Sequence, residues 1–218
     1  MHTVRWGLRT ILFAIAVLGF IGSQAPASGP RIFIVDSDAS LLVRIDDMTG
    51  AGWTTLGSRG SGTNQFFTPD GLFVDASGSI YVVDTDNHRI VRMNDMTGAG
   101  WTTLGSFGNG VQQFNLPRSI FVDARGRIYV TDTKNSRIVR ISGMTGADWT
   151  TLGNQGTGIG QFCDDIDGIF VSPAGQIFVA DCHRIVRMDD MTGAGWTTFG
   201  KSGFGKGQFY GLGGIFVR

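Results

Sequence analysis

The sequence predicts an all-β fold made of short strands repeated around a common axis. Three observations carry this expectation. The phrase Trp-Thr-Thr-Leu/Phe-Gly recurs at Trp53, Trp101, Trp149 and Trp196, spaced by 48, 48 and 47 residues, and a period in this range marks blades or solenoid units. All 18 acidic residues are Asp and none is Glu. Asp favours turns and caps whereas Glu is a good helix former, so little surface helix is expected. The 34 glycines of this 218-residue chain recur at fixed places in the repeat, without a three-residue period, and so mark turns rather than disorder or a collagen-like helix.

Taken in order, the chain begins with Arg5 and Arg9, an apolar run from Ile11 to Gly22, and then Ala25-Pro26-Ala27. Basic, then apolar, then small-x-small is the order of a secretory signal peptide, which puts residues 1–27 in the leader and 28–218 in the repeat domain. The alternatives are an uncleaved anchor or a misassigned start, but the apolar run is shorter than the roughly 20 residues that span a bilayer. No Cys follows the run, so a lipid anchor has no support. The expected location is secreted or periplasmic, with no membrane span after cleavage, and such compartments permit disulfides.

From Arg31 onward four phrases alternate. The first ends in Phe-Val: Gly71 to Val74, Ser119 to Val122, Gly168 to Val171 and Gly214 to Val217. The second starts at Ile32, Ile80, Ile128 and Ile177 and closes on Asp36, Asp84, Asp132 and Asp181. The third contains Leu42, Ile90, Ile138 and Ile185, and the fourth is the Trp phrase. Each is short, rich in β-branched and aromatic residues, and bounded by Gly, Asp, Asn or Ser, as strands are. No stretch after residue 30 shows a helical period over three turns. Four antiparallel strands per unit, repeated in a ring, make a β-propeller. Residues 31–218 number 188, four times 47, so four blades are expected. The ring would close by pairing Gly214–Val217 with Arg31–Asp36, which satisfies two sheet edges at once.

The phrases Gln-Phe, Pro-x-Gly, Phe-Val-Asp, Gly-x-Ile-Tyr-Val-x-Asp and Asn-x-Arg-Ile, clearest from Gly60 to Arg92 and Gly108 to Arg140, resemble the NHL repeat. That resemblance implies a β-propeller that binds proteins, peptides or RNA, with a few relatives acting as metal-dependent lyases or lactonases. Rings in that family commonly have six blades, so the count of four departs from its pattern, and a gene fragment or a homo-dimer sharing one ring are alternatives to a closed monomer.

Charge argues against one of those partner classes. After residue 30 the chain holds 16 basic and 18 acidic residues, which gives no electrostatic footprint for nucleic acid. The turns between third and fourth strands are nearly invariant, for Asp47 to Ser58 and Asp95 to Ser106 are identical. The loops between second and third strands differ: Ser37 to Ser40, Thr85 to His88, Thr133 to Ser136, and the shortened Cys182-His183. Variation gathered on one side of a repeated scaffold suits a binding face, although drift on tolerant loops gives the same pattern. The candidate ligand-binding residues on that side are Asp70, Asp86, His88, Arg118, Lys134, Asp167 and His183. Asp70, Arg118, Asp167 and Gly213 each precede a first strand, so they should gather at the mouth of the central channel. There they could hold a polar ligand or form a ring of compensating charges.

The fourth unit is irregular. It gains a residue around Cys163 to Asp167 and loses two after Cys182. Counting ladder pairs outward from the Pro173-Ala174-Gly175 turn brings Cys163 near Cys182, so a disulfide is expected there, with two reduced buried thiols as the alternative. Asp164, Asp165 and Asp167, with Asp181 and His183 close by in the sequence, form the best candidate metal ligands, suited to calcium or zinc. Solvated acidic loops give the same composition, and no motif demands a cofactor. Asp84, Asn87 and Arg89, repeated as Asp132, Asn135 and Arg137, read as structural, and the Trp residues read as packing between blades.

There is no Gly-x-Ser-x-Gly, His-Glu-x-x-His, phosphate loop or Cys-x-x-Cys. The expected function is therefore a non-enzymatic interaction module that engages a protein, peptide or glycan. A metal-dependent hydrolase or lyase at the channel mouth is the first alternative, and a structural cell-envelope protein the second.

Overall fold

The computed structural model describes residues 31–218; the signal segment expected at residues 1–27 lies outside them. The first sheet has three strands, β1 (Ile32–Asp36), β2 (Leu41–Ile45) and β3 (Thr54–Leu56). Three sheets of four follow, each antiparallel and in sequence order. The second holds β4 (Pro69–Val74), β5 (Ile80–Asp84), β6 (Arg89–Met93) and β7 (Thr102–Leu104). The third holds β8 (Pro117–Val122), β9 (Ile128–Asp132), β10 (Arg137–Ile141) and β11 (Thr150–Leu152). The fourth holds β12 (Ile166–Val171), β13 (Ile177–Asp181), β14 (Arg184–Met188) and β15 (Thr197–Phe199). A short parallel pair, β16 (Lys201–Ser202) with β17 (Gln208–Phe209), comes last.

Local chemistry explains the regularity. Between β4 and β5, Asp75 Oδ1 accepts the backbone N–H groups of Ser77 and Ser79, at 2.9 and 3.0 Å, closing a tight turn. In the first, second and fourth sheets the third-to-fourth turn is held the same way: the N–H groups of Thr49, Thr97 and Thr192 donate at 2.8 Å to Asp47, Asp95 and Asp190. Its constancy is therefore turn chemistry.

The strands that read as structural at their ends are indeed clamps. Asp84 Oδ1 accepts the N–H of Phe67 at 2.6 Å, while Oδ2 accepts from Asn87 at 2.8 Å and from Arg89 at 2.7 Å. Arg89 reaches on to the carbonyls of Ser61 and Gln65, so one buried carboxylate fixes a strand end, a loop and the connector from the preceding sheet. Asp132, Asn135 and Arg137 repeat the arrangement, and Asp181 with Arg184 keeps most of it. A buried carboxylate needs such partners.

Hydrophobic side chains lie between neighbouring sheets. Phe33, Val35 and Leu42 of the first sheet meet Phe66, Leu72, Ile80 and Val82 at the second. Equivalent clusters join the second to the third and the third to the fourth. Trp101, Trp149 and Trp196 each stand 5.2 Å, ring to ring, from the fully buried Phe66, Phe114 and Phe162, the expected packing role. The Trp side chains sit just before β7, β11 and β15 rather than within them.

The loops after β5 and β9 each contain one turn of 3-10 helix, at Thr85–Asn87 and Thr133–Asn135, ended by His88 and Ser136 in left-handed conformation. Two expectations need correction. The first strands of the complete sheets start earlier than Gly71, Ser119 and Gly168 and carry a register shift near their starts. Finally, the pairing of Gly214–Val217 with β1 is not formed: β1 pairs with β2 alone, and residues 211–218 contain no strand. Instead the N–H of Gly168 donates to Gly213 O at 3.0 Å. Gly213 and Gly214 thus approach Gly168 as Arg118 and Ser119 approach Gly71. The C-terminal segment continues the arc outward, because it packs on β12 in the way each first strand packs on the one before it.

Candidate ligand site at the mouth of the inner strands

Strands β4, β8 and β12 are the inner strands, each lying against the next, and Asp70, Arg118 and Asp167 stand at their starts. The second-to-third loops reach the same rim. Ser37 Oγ donates to Pro69 O at 2.6 Å and to Asp70 Oδ1 at 3.0 Å. Thr85 Oγ1 donates to Pro117 O, and Thr133 Oγ1 to Ile166 O, both at 2.8 Å. Lys134 Nζ donates to Asp164 O at 3.0 Å. Mouth residues and variable loops therefore share one face of the arc.

Arg118 is the hub of the mouth. Its Nη1 lies 2.6 Å from Asp165 Oδ1 and 3.5 Å from Asp167 Oδ2. Burial pushes the Asp167 carboxyl up to about 6; Arg118 opposes the shift, and the carboxylates of Asp165 and Asp70 add to it. Asp70 is also raised, first by burial, against hydrogen bonds from Ser37 and Thr85 and the charge of Arg118. Three carboxylates around one guanidinium leave the mouth net acidic at neutral pH. Such a rim suits a cationic or hydrogen-bond-donating group.

The other predicted residues divide. Asp86 accepts from Thr68 Oγ1 at 2.7 Å. His88 Nδ1 accepts the N–H of Leu116 at 3.1 Å, and its ring packs on Phe107 at 5.0 Å. His183 stacks on Tyr210 at 5.8 Å and makes no hydrogen bond to Asp70 or Asp167 among the described residues. Of the metal candidates, Asp165 and Asp167 already share Arg118, and Asp181 belongs to the clamp with Arg184 and the N–H of Cys163. One grouping of ligand-type atoms within 4.8 Å comprises Cys163, Asp181 and Cys182. It does not suit a metal, since Cys163 and Cys182 are joined by a disulfide and a bonded sulfur is no thiolate ligand. That bond is the one the ladder count anticipates.

Reasoning along the sequence missed the Arg118–Asp165 ion pair, although Asp165 lies only two residues before Asp167, the position on the next sheet equivalent to Arg118. It also missed the role of the partners of His88 and His183, because Phe107 and Tyr210 lie in connectors whose path depends on the sheet-to-sheet turn.

Repeated, sequential four-stranded antiparallel sheets around inner strands define a β-propeller-type repeat protein. Residues 68–93 and 114–141 match the NHL repeat family. No curated protein matches the chain in sequence. Among solved structures, it is similar to a catalytically inactive virginiamycin B lyase from Staphylococcus aureus with quinupristin. The identity there is 18% over 80% of this chain and 53% of that one, with a TM-score of 0.56. A streptogramin B lyase is 15% identical over 80% and 52% of the two chains, with a TM-score of 0.57. Kuenenia stuttgartiensis hydrazine synthase is 14% identical over 75% and 44%, with a TM-score of 0.51. The chain thus spans about half the length of the lyase structures, and at these identities the likeness is one of fold.

Proposed function

We propose that this chain is an exported, non-enzymatic binding module whose acidic mouth and variable loops engage a protein, peptide or glycan that presents a cationic group. The observation that carries the reading is the Asp70, Arg118, Asp165 and Asp167 cluster on the face that also bears the divergent loops. NHL propellers commonly mediate protein interactions. Export is supported by the basic, apolar and small-residue order of residues 1–27 and by the Cys163–Cys182 disulfide. No helix among the described residues is long and apolar enough to cross a membrane.

The test uses immobilised tetrapeptides with Lys, Arg, Glu or Ser at the free end, probed at pH 7.5 and pH 5. Binding should favour Lys and Arg, weaken at the lower pH as Asp167 protonates, and fall at least tenfold in Asp70→Asn/Asp167→Asn. Equal binding to all four peptides, or an unaffected double variant, sinks the reading.

The rival, a metal-dependent hydrolase or lyase, draws on the fold likeness to lyases and on Asp70, Asp167 and His183. It has less support, because Arg118 holds the charge position an ion would take and His183 faces Tyr210. Melting after chelation, then with added calcium or zinc, separates the readings: a metal-built site should raise Tm by mass action, whereas the binding-module reading expects no shift. A purely structural envelope role predicts neither peptide selectivity nor a metal response.

A further inference from the structure

Each mouth residue is reached through a short bend after the connector phenylalanine, and in the second, third and fourth sheets the second-to-third loop ties that bend down. Before Asp70, Thr68 Oγ1 donates to Asp86 Oδ2 at 2.7 Å. Before Arg118, the N–H of Leu116 donates to His88 Nδ1 at 3.1 Å. Before Asp167 the tie is covalent, for Cys163 of the bend is bonded to Cys182 of the loop.

The fourth bend has the greater need of a tie. Pro69 and Pro117 stiffen the other two just ahead of Asp70 and Arg118, whereas Cys163-Asp164-Asp165-Ile166 has no proline and one residue more. The turn Cys182-His183 also lacks the Asn whose side chain joins loop to connector at Asn87 and Asn135. Cys163 Sγ, fixed by its bond to Cys182, accepts the N–H of Asp165 at 3.4 Å, and Asp165 Oδ1 accepts from Arg118 Nη1 at 2.6 Å. Two hydrogen bonds therefore lead from the disulfide to the hub of the mouth. The Asp165 side chain is 51% exposed, and an ion pair so exposed holds weakly by itself. Both cysteines are partly exposed, so a thiol reagent can reach them.

We propose that the Cys163–Cys182 bond is a redox-sensitive latch that sets the charge of the mouth by holding Asp165 on Arg118; its effect on binding rests on the reading of this mouth as the ligand site. A dithiol reductant opens the latch. One of its thiolates attacks a cysteine sulfur to form a mixed disulfide, and its second thiolate then displaces the remaining cysteine. Two electrons and two protons pass to the protein, giving two cysteine thiols and the cyclic disulfide of the reductant. The Cys163 N–H stays on Asp181 and Ile166 O on Thr133, so the stretch set free is Asp164-Asp165. Once Cys163 Sγ can rotate, the Asp165 N–H loses its fixed acceptor and the carboxylate moves into water. Arg118 Nη1, 3.5 Å from Asp167 Oδ2, then closes on Asp167. Two carboxylates rather than three remain around the guanidinium, and the pull on a cation weakens.

Carbon NMR of the Asp167 carboxyl in the full chain, with no ligand present, tests the latch. On reduction with dithiothreitol the titration midpoint should fall from about 6 by about one pH unit, since a like charge leaves and the guanidinium draws nearer. It should return on reoxidation. Asp165→Asn keeps the disulfide, so it should lower the midpoint of the oxidised protein and leave reduction little to change. The immobilised Lys-ended tetrapeptide should bind the reduced protein about fivefold more weakly than the oxidised one. Circular dichroism should be the same in both forms. A midpoint indifferent to reduction, a fall of equal size in Asp165→Asn, equal peptide binding by the two forms, or unfolding on reduction would each overturn the proposal. A reversible fall at Asp167 with no peptide bound by either form supports the latch and counts against the binding reading alone.

Discussion

Asp167 shows how burial can outweigh a salt bridge. Its carboxyl lies 3.5 Å from Arg118, yet its pKa rises from 3.8 to about 6, because burial and the Asp165 and Asp70 charges together exceed the attraction. The folded state holds this proton where the unfolded chain has released it. The contribution to stability is therefore fully present below about pH 3.8 and is lost as pH rises through about 6. Asp167→Asn should remove that fall, so the Tm difference between variant and wild type should grow in the variant's favour from pH 4 to pH 7. A constant difference would contradict the assignment. Arg118→Met should raise the Asp167 pKa further, read from its carboxyl carbon by NMR titration. Gly71 illustrates a steric limit at the same scale: a Cβ there would stand 2.5 Å from the carbonyl oxygen of Arg118 and 2.7 Å from Val83 Cγ2. Because backbone sits in the way, Gly71→Ala should cost about 1–3 kcal/mol in denaturant unfolding, while Gly78→Ala, with nothing within 4 Å but φ at +88°, tests the turn alone.

At the scale of elements, the clamp and the disulfide do the same job by different chemistry. Asp132 is fully buried and its pKa is raised by burial against its hydrogen bonds and Arg137. Arg137→Ala removes the guanidinium that joins β9, β10 and the connector carbonyls of Asn109 and Gln113, at an expected cost of about 3 kcal/mol. In the fourth sheet the Asn of this clamp is missing with the shortened loop, and Cys163–Cys182 spans the same loop and connector. Closing a loop of 19 residues' separation corresponds to about 3 kcal/mol. Cys163→Ser/Cys182→Ser should therefore lower Tm by several degrees and leave the other three sheets intact, as hydrogen exchange by segment would report. In the first sheet Leu41 occupies the place of Arg89 and Arg137, and Asp36 is exposed, so that clamp is absent.

At the scale of the whole molecule, one residue type in one motif has two fates. Trp149 is half-buried against Phe114, whereas Trp53 in the same phrase is 65% exposed. Trp149→Ala should destabilise the chain by about 3 kcal/mol, whereas Trp53→Ala should leave the stability of an isolated chain nearly unchanged. Equal losses in both would show that the Trp acts within its own sheet and not across the junction.

Strands, turns and the order of pairing were legible in the sequence because each depends on residues a few positions apart: alternation within Ile80–Asp84, the Asp75 and Asp95 turns, the Asp84 to Arg89 register. The Cys163–Cys182 bond was legible for the same reason, being a matter of counting outward from one turn. What tertiary structure alone decided is set between sheets. The turn from one sheet to the next comes from Phe66 on Trp101 and its equivalents, and it carried Gly213 onto Gly168 rather than back to β1. That same turn buried Asp167 beside Arg118 and drew His88 and His183 to Phe107 and Tyr210. A pattern along one strand carries the period of its own side chains, but the angle between two packed sheets is a property of the side chains that meet across them.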